Sequence, residues 1–160
     1  MSDPSSSSSS AEERLSALGL SLPAPPQPKG AYVPVLRHGD LAWVSGMLPL
    51  ENGKLVVRGT VEGEVSVAAA YDAARLATLG GLAALKSTLG DLHHVAKILR
   101  VGVFVASSAG FTRQPEVANG ASELLLALWG EDGKHARVAV GVAQLPLGSP
   151  VEVELLVATR

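Results

Sequence analysis

Cysteine is absent from the 160 residues of this chain. That excludes a disulfide framework, a thiolate nucleophile and a cysteine-ligated zinc. It also suits the cytosol, which is the expected location. A basic cluster is missing as well. Thirteen Lys and Arg stand against fifteen Asp and Glu, for a net charge of −2. A nucleic-acid footprint needs several cations on one face, so a nucleic-acid partner is not expected. No secretory apolar region follows Met1, and the longest apolar stretch, Val65 to Leu85, is interrupted by Asp72, Arg75 and Gly80-Gly81. A membrane-spanning helix is therefore not expected either. Metal-ligand spacing is lacking: His93 and His94 are adjacent, and no His-x-x-Glu-His pattern occurs, so no metal site is anticipated. His38 and His135 read as turn histidines. Asn52-Gly53-Lys54 and Gly133-Lys134 lack the flanking residues of a phosphate-binding loop.

What the chain does contain is apolar residue in quantity, 47%. That is enough for one well-packed domain plus a tail. Residues 2–9 are a Ser-rich tract that cannot bury a core, and residues 1–10 are expected to be a disordered tail. Ser10-Ala11-Glu12-Glu13 carries the capping-box pattern, so a short helix should follow and end near Gly19. Leu22 to Pro28 holds four prolines and reads as a stiff connector. Residues 11–29 thus form a helix and connector, and residues 30–160 the folded domain.

Within that domain the expected order is three strands, helix, strand, helix, two strands. Strands are anticipated at Tyr32–Arg37, Leu41–Ser45 and Lys54–Arg58, with a hairpin turn at Asn52-Gly53. A helix is expected over Glu62–Leu89, its glycine pair allowing close packing on a sheet, with Gly90 as its stop. Val95–Val105 is a strand, and a second helix runs from near Pro115 to Trp129. This is an α+β pattern with two helices on one face of a mixed sheet. The second sheet face also carries apolar residues, which predicts an oligomer.

The last two strands hold the most informative residues. Into a Val-, Ala- and Leu-rich run the sequence places the cation Arg137 and the anion Glu152. Such charges are costly near a sheet core unless paired or bound to a ligand. The connection through Leu145-Pro146 and Gly148-Ser149-Pro150 should reverse the chain. Arg137 and Glu152 then lie on the order of 20 Å apart, given about 3.3 Å per residue. They should make no ion pair within one chain, so a site using both would be shared between subunits. Either charge could instead serve only an ion pair at an interface. Glu154 reads as a solvated or interface partner, and Trp43 and Trp129 as core or interface aromatics.

Several stretches resemble the RidA/YjgF family of reactive-intermediate imine deaminases, also described as endoribonuclease L-PSP. They are Tyr32, Val44-Ser45-Gly46-Met47-Leu48-Pro49, Leu89-Gly90-Asp91-Leu92, Val103-Phe104-Val105, Arg137, Leu145-Pro146 and Val151-Glu152-Val153-Glu154. They occur in order over roughly residues 30–158. The resemblance implies a chorismate-mutase-like fold and a homotrimer whose sheets line a central barrel, with sites at the subunit clefts. It implies hydrolysis of 2-imino or enamine acids to 2-keto acids and ammonia, without cofactor or metal. By the same resemblance Arg137 holds the substrate carboxylate and Glu152 stands near the attacking water. Ser45, Gly46 and Tyr32 line the pocket.

The chain departs from the best-known deaminases at Gly30-Ala31-Tyr32 and at Arg137-Val138-Ala139, where Ala139 can act only through its backbone carbonyl. The family's pocket asparagine has two candidates, Asn119 and Ser122. These departures keep open a second reading, a non-catalytic trimeric binder or sensor of small carboxylates such as 2-keto acids. A ribonuclease is a third, disfavoured by the charge balance.

Overall fold

The structure, a computed structural model, describes residues 9–160. The tail expected over residues 1–10 lies almost wholly outside the described residues.

The capping box at Ser10 forms as the pattern implies. The Glu13 amide donates to Ser10 Oγ at 3.2 Å, and the Ser10 amide donates to Glu13 Oε2 at 2.7 Å. Helix α1 spans Ala11–Ala17. It buries Ala11 and Leu15 in the main core, and Arg14 donates to the Leu128 carbonyl. The sheet begins only after the proline connector, while α1 already contributes side chains to the core.

The strands are β1 (Val35–His38), β2 (Leu41–Met47), β3 (Leu50–Glu51), β4 (Lys54–Leu55), β5 (Val95–Ala106), β6 (Ala136–Val142) and β7 (Val151–Thr159). Five of them form one sheet in the order β1-β2-β7-β5-β6. All neighbours are antiparallel except β5 and β6, which are parallel. A parallel pair needs a crossover, and α3 (Gln114–Trp129) supplies it.

Three local expectations are corrected. The first strand begins at Val35 rather than Tyr32. The expected strand over 54–58 shrinks to a two-residue arm of a small separate hairpin. Its turn is the Asn52-Gly53 pair, both at positive φ, as a two-residue hairpin loop requires. Helix α2 starts at Val67 rather than Glu62. Residues 60–65 form a tight loop in which the Val65 amide donates to the Thr60 carbonyl, and Glu64 Oε2 accepts from the Thr60 amide. Ser66 Oγ then caps the helix through the Ala69 amide.

Helices α2 and α3 cover one sheet face. Strand β7 shows why: Val151, Val153, Leu155 and Val157 are buried, while the alternate residues Glu152, Glu154 and Leu156 are only partly so. The period of two divides the strand between a helix-covered face and an open one. Gly81 of α2 lies close to Leu155 and Val44, so a side chain there would crowd the sheet.

The open face is apolar in large part. One cross-strand row reads Leu36, Trp43, Leu156 and Arg100. Leu36 is 58% exposed and Trp43 40%. Among the described residues no helix is long and apolar enough to cross a membrane.

Candidate functional site

The reversal between β6 and β7 takes place, but β5 lies between them. Arg137 pairs in register with Val101, and Glu152 with Phe104. Three residues along β5 and two strand spacings separate them, roughly 14 Å between backbones rather than 20 Å. A second separation escaped the sequence argument. Arg137 lies in register with buried Val101, on the helix-covered face, and reaches α3. Glu152 lies in register with Phe104, on the open face. The two charges stand on opposite sides of the sheet. Among the described residues they form no ion pair.

On the covered side, α3 presents Asn119 and Ser122, three residues apart and hence on one helix face. Arg137 Nη1 donates to Asn119 Oδ1 at 2.8 Å and to Ser122 Oγ at 3.1 Å. Both candidates for the pocket asparagine therefore meet at one guanidinium nitrogen, and its two hydrogens are used. Nε and Nη2 have no partner among the described residues. Ala139, two residues on, points to the same side and packs against the core. It contributes no polar side-chain atom.

His135 joins this cluster and was not anticipated there. Its Nδ1 lies 2.6 Å from the Gly133 carbonyl and its Nε2 2.9 Å from Ser122 Oγ. Its distance of thirteen residues from Ser122 gave no local signal; only the α3–β6 juxtaposition brings the two together. A shallow cleft of about 450 Å³ is lined by Ser122, Glu123, Leu126, Lys134, His135 and Arg137. Lys134 pairs with Glu131 at 2.8 Å, and Glu123 accepts from the Tyr71 hydroxyl at 2.6 Å. Arg137, bonded only to neutral side chains, is the cation of the cleft left without a carboxylate partner among the described residues.

On the open side, Ser45 and Gly46 sit in a β-bulge of β2, where the register to β7 shifts between Val44 and Met47. Bulges of this kind re-aim side chains. Ser45 Oγ donates to the Val33 carbonyl at 2.7 Å, which ties the bulge to the chain entering β1. Gly46 lies under Glu152: a Cβ there would stand 2.8 Å from the Glu152 carboxyl carbon. Burial pushes the Glu152 carboxyl above the usual glutamate range, and the charge of Glu154 adds to the shift. Glu154 is itself paired with Arg100. Tyr32 is 53% exposed, with its ring against Gly30. Within one chain, then, Ser45, Gly46 and Glu152 belong to the open face, and Arg137, Asn119, Ser122 and Ala139 to the other, while Tyr32 precedes the sheet.

A mixed sheet with two helices on one face and an open, largely apolar second face defines a class of small two-layer α+β proteins. Residues 12–159 match the model of the family described as "YjgF/chorismate mutase-like, putative endoribonuclease". The chain belongs to this family, and its fold is the chorismate-mutase-like one. Protein TCP17 of Trypanosoma cruzi is 43% identical over 144 residues, 89% of this chain and 90% of that protein. Atu1372 from Agrobacterium tumefaciens, of unknown function, is 43% identical with a TM-score of 0.86, covering 93% of this chain and 91% of that one. A putative endoribonuclease from Shewanella oneidensis MR-1 is 34% identical with a TM-score of 0.90, covering 94% and 99%. E. coli TdcF, solved with bound serine, is 23% identical with a TM-score of 0.57, covering 87% and 93%. It shares the fold.

Proposed function

We propose that this protein hydrolyses small 2-imino or enamine acids to 2-keto acids and ammonia, in a cleft completed by a second copy of the chain. The observation that carries the reading is the arrangement of Arg137. With Nη1 committed to Asn119 and Ser122, the Nε–Nη2 edge is left with two parallel donors, the geometry that takes a carboxylate bidentately. The bound serine of TdcF is a small ligand with a carboxylate group of the kind that such an edge accepts.

The chemistry asks for little more. Water adds to the imine carbon, the nitrogen takes up a proton, and the resulting carbinolamine expels ammonia to leave the ketone. Fixing the carboxylate holds the imine carbon where one water can reach it, and this orientation supplies much of the gain. A half-buried carboxylate raised above its ordinary range suits the water's proton, because a base works best near the operating pH. Glu152 has that character. Because it faces away from Arg137 of its own chain, the Glu152 that serves this Arg137 comes from a neighbouring subunit. The apolar open face, with Leu36, Trp43 and Val140 exposed, supports burial against further copies, and a homotrimer is the assembly we favour.

The test is a coupled assay. A serine or threonine dehydratase releases 2-aminoacrylate or 2-aminocrotonate, and keto-acid formation is followed with wild type and with Arg137→Ala. Acceleration by wild type that Arg137→Ala abolishes, with the oligomer intact, is the expected result. Saturable binding of 2-oxobutanoate without imine turnover would establish the alternative, a non-catalytic binder of small carboxylates. Ala139, which brings no polar side chain to the Arg137 cluster, is the observation that favours this second reading.

A further inference from the structure

Arg137, Ser122 and His135 form a chain whose hydrogen positions can be assigned from chemistry alone. A carbonyl oxygen only accepts, so the 2.6 Å contact with the Gly133 carbonyl places a hydrogen on His135 Nδ1. In the neutral ring Nε2 is then an acceptor. Its 2.9 Å partner, Ser122 Oγ, must donate. Arg137 carries only donors, so at 3.1 Å it donates to the same Oγ. The order is Arg137 Nη1–H to Ser122 Oγ–H to His135 Nε2. In this state the Ser122 hydrogen is held away from the cleft.

Protonating the ring reverses one link. Nε2 gains a hydrogen and donates to Ser122 Oγ, whose two lone pairs are then taken by His135 and Arg137. The hydroxyl hydrogen is released to a ligand on the Arg137 edge, and one more positive charge lines the cleft. We propose that His135 is a positioning residue of the Arg137 site, setting through Ser122 whether that hydroxyl is offered to a bound carboxylate. Carboxylate binding then strengthens on acidification. The inference rests on the carboxylate role of Arg137 proposed above.

The other charged groups facing the ring are Lys134 and Arg137 from its own segment and Glu123 from α3. Lys134 is paired with Glu131, and Glu123 is held by Tyr71 of α2. None of them offers His135 Nε2 a competing partner.

The experiment uses 2-oxobutanoate, a keto acid that stays ionised throughout the range. Its binding to the full-length protein is measured by calorimetry between about pH 8 and pH 5.5, the span in which imidazoles titrate. In wild type we expect affinity to rise about tenfold toward the acid end, the worth of one hydrogen bond to a charged acceptor. His135→Gln places a neutral amide that cannot take up a proton in this range where Nε2 accepts, so its affinity, whatever its level at neutral pH, should not rise toward the acid end. The same gain in His135→Gln would assign it to another group, such as Glu152, and overturn the proposal. So would binding that needs Arg137 but does not vary with pH. Absence of binding, or binding unchanged in Arg137→Ala, would bring down the carboxylate reading itself and this inference with it. A measurement free of ligand stands beside these. Nitrogen-15 NMR of the His135 ring at about pH 8 should show the Nδ1–H tautomer, and the Nε2–H tautomer would overturn the assignment.

Discussion

The Glu152 carboxylate lies directly over the α-carbon of Gly46, close enough that a β-carbon there would stand 2.8 Å from the carboxyl carbon and 3.2 Å from Glu152 Cγ. Gly46 is therefore a glycine for reasons of space. The β-bulge brings β2 under the side chain, and the absence of a side chain leaves the carboxylate its position. Gly46→Ala should push the Glu152 head group aside while the strands stay paired. If Glu152 handles the attacking water, a displacement of about 1 Å should lower turnover about 100-fold. Binding of 2-oxobutanoate through Arg137 should change little. Unchanged turnover in a folded Gly46→Ala protein would remove Glu152 from the reaction.

Glu152 also gives a stability prediction with a definite sign. Its carboxyl is held above the usual range by burial and by Glu154, so folding of an isolated protomer disfavours the ionised form. Ionised, it costs stability. That cost is absent below the unfolded value of about 4.3, grows through the window between the unfolded and raised folded values, and is complete above it. Glu152→Gln should therefore melt higher than wild type at neutral pH in dilute, dissociated protein, and the two curves should meet near pH 4. Melting temperatures across this range decide it. A wild type more stable than Glu152→Gln at neutral pH in the dissociated protein would overturn the cost of burial, and the same order found only at concentrations where the protein assembles would place a cation of another subunit on Glu152.

Sequence and structure agree wherever a local rule acts. The Ser10 capping box and the Asn52-Gly53 turn are set by neighbouring residues, and they form as read. Boundaries fail where tertiary contacts decide, as at residues 60–65, whose loop uses Glu64 and leaves the start of α2 to Ser66. The glycine pair of α2 divides: Gly81 meets Leu155 and Val44, while a β-carbon on Gly80 would meet nothing. The arginine cluster was legible in part. Asn119 and Ser122 sit at helical spacing, but the side of the sheet that Arg137 takes follows from its parallel pairing with β5, and no short-range pattern encodes that. His135 stayed hidden for the same reason.

The two covering helices meet at a glycine. Gly120 of α3 lies against the backbone of α2 at Tyr71, and a β-carbon there would stand 2.9 Å from the Tyr71 carbonyl carbon and 3.3 Å from the Arg75 amide nitrogen. Backbone cannot swing aside as a side chain does. Gly120→Ala should push the helices apart and destabilise the fold by about 1–3 kcal/mol, the usual cost of overpacking, despite the better helix propensity of alanine. Because Asn119 and Ser122 flank this position, the Arg137 cluster should loosen with it. Urea unfolding gives the first quantity and 2-oxobutanoate affinity the second. A stabilised Gly120→Ala protein would show that the helix packing adapts freely.

The open sheet face settles whether any shared site exists. Leu36, Trp43 and Leu156 form one continuous cross-strand row, with Leu36 and Trp43 largely uncovered in a single protomer. A contiguous apolar face of this kind marks an association surface. Wild-type protein should therefore run in light scattering at a multiple of the 16.4 kDa protomer, three being the expected number. Trp43→Asp places a carboxylate in the middle of the row, where burial without a partner is costly. It should weaken assembly at least about tenfold, a change of 1.4 kcal/mol or more. Arg137 with Asn119, Ser122 and His135 lies on the other side of the sheet and stays intact. If the cleft needs Glu152 from a neighbour, the dissociated variant still binds 2-oxobutanoate weakly but no longer turns over imine. Turnover per protomer that survives dissociation would show that one chain suffices and that Glu152 across the interface is not the base. A wild type that stays at the protomer mass would remove the shared cleft altogether and leave Arg137 as a carboxylate anchor within a single chain.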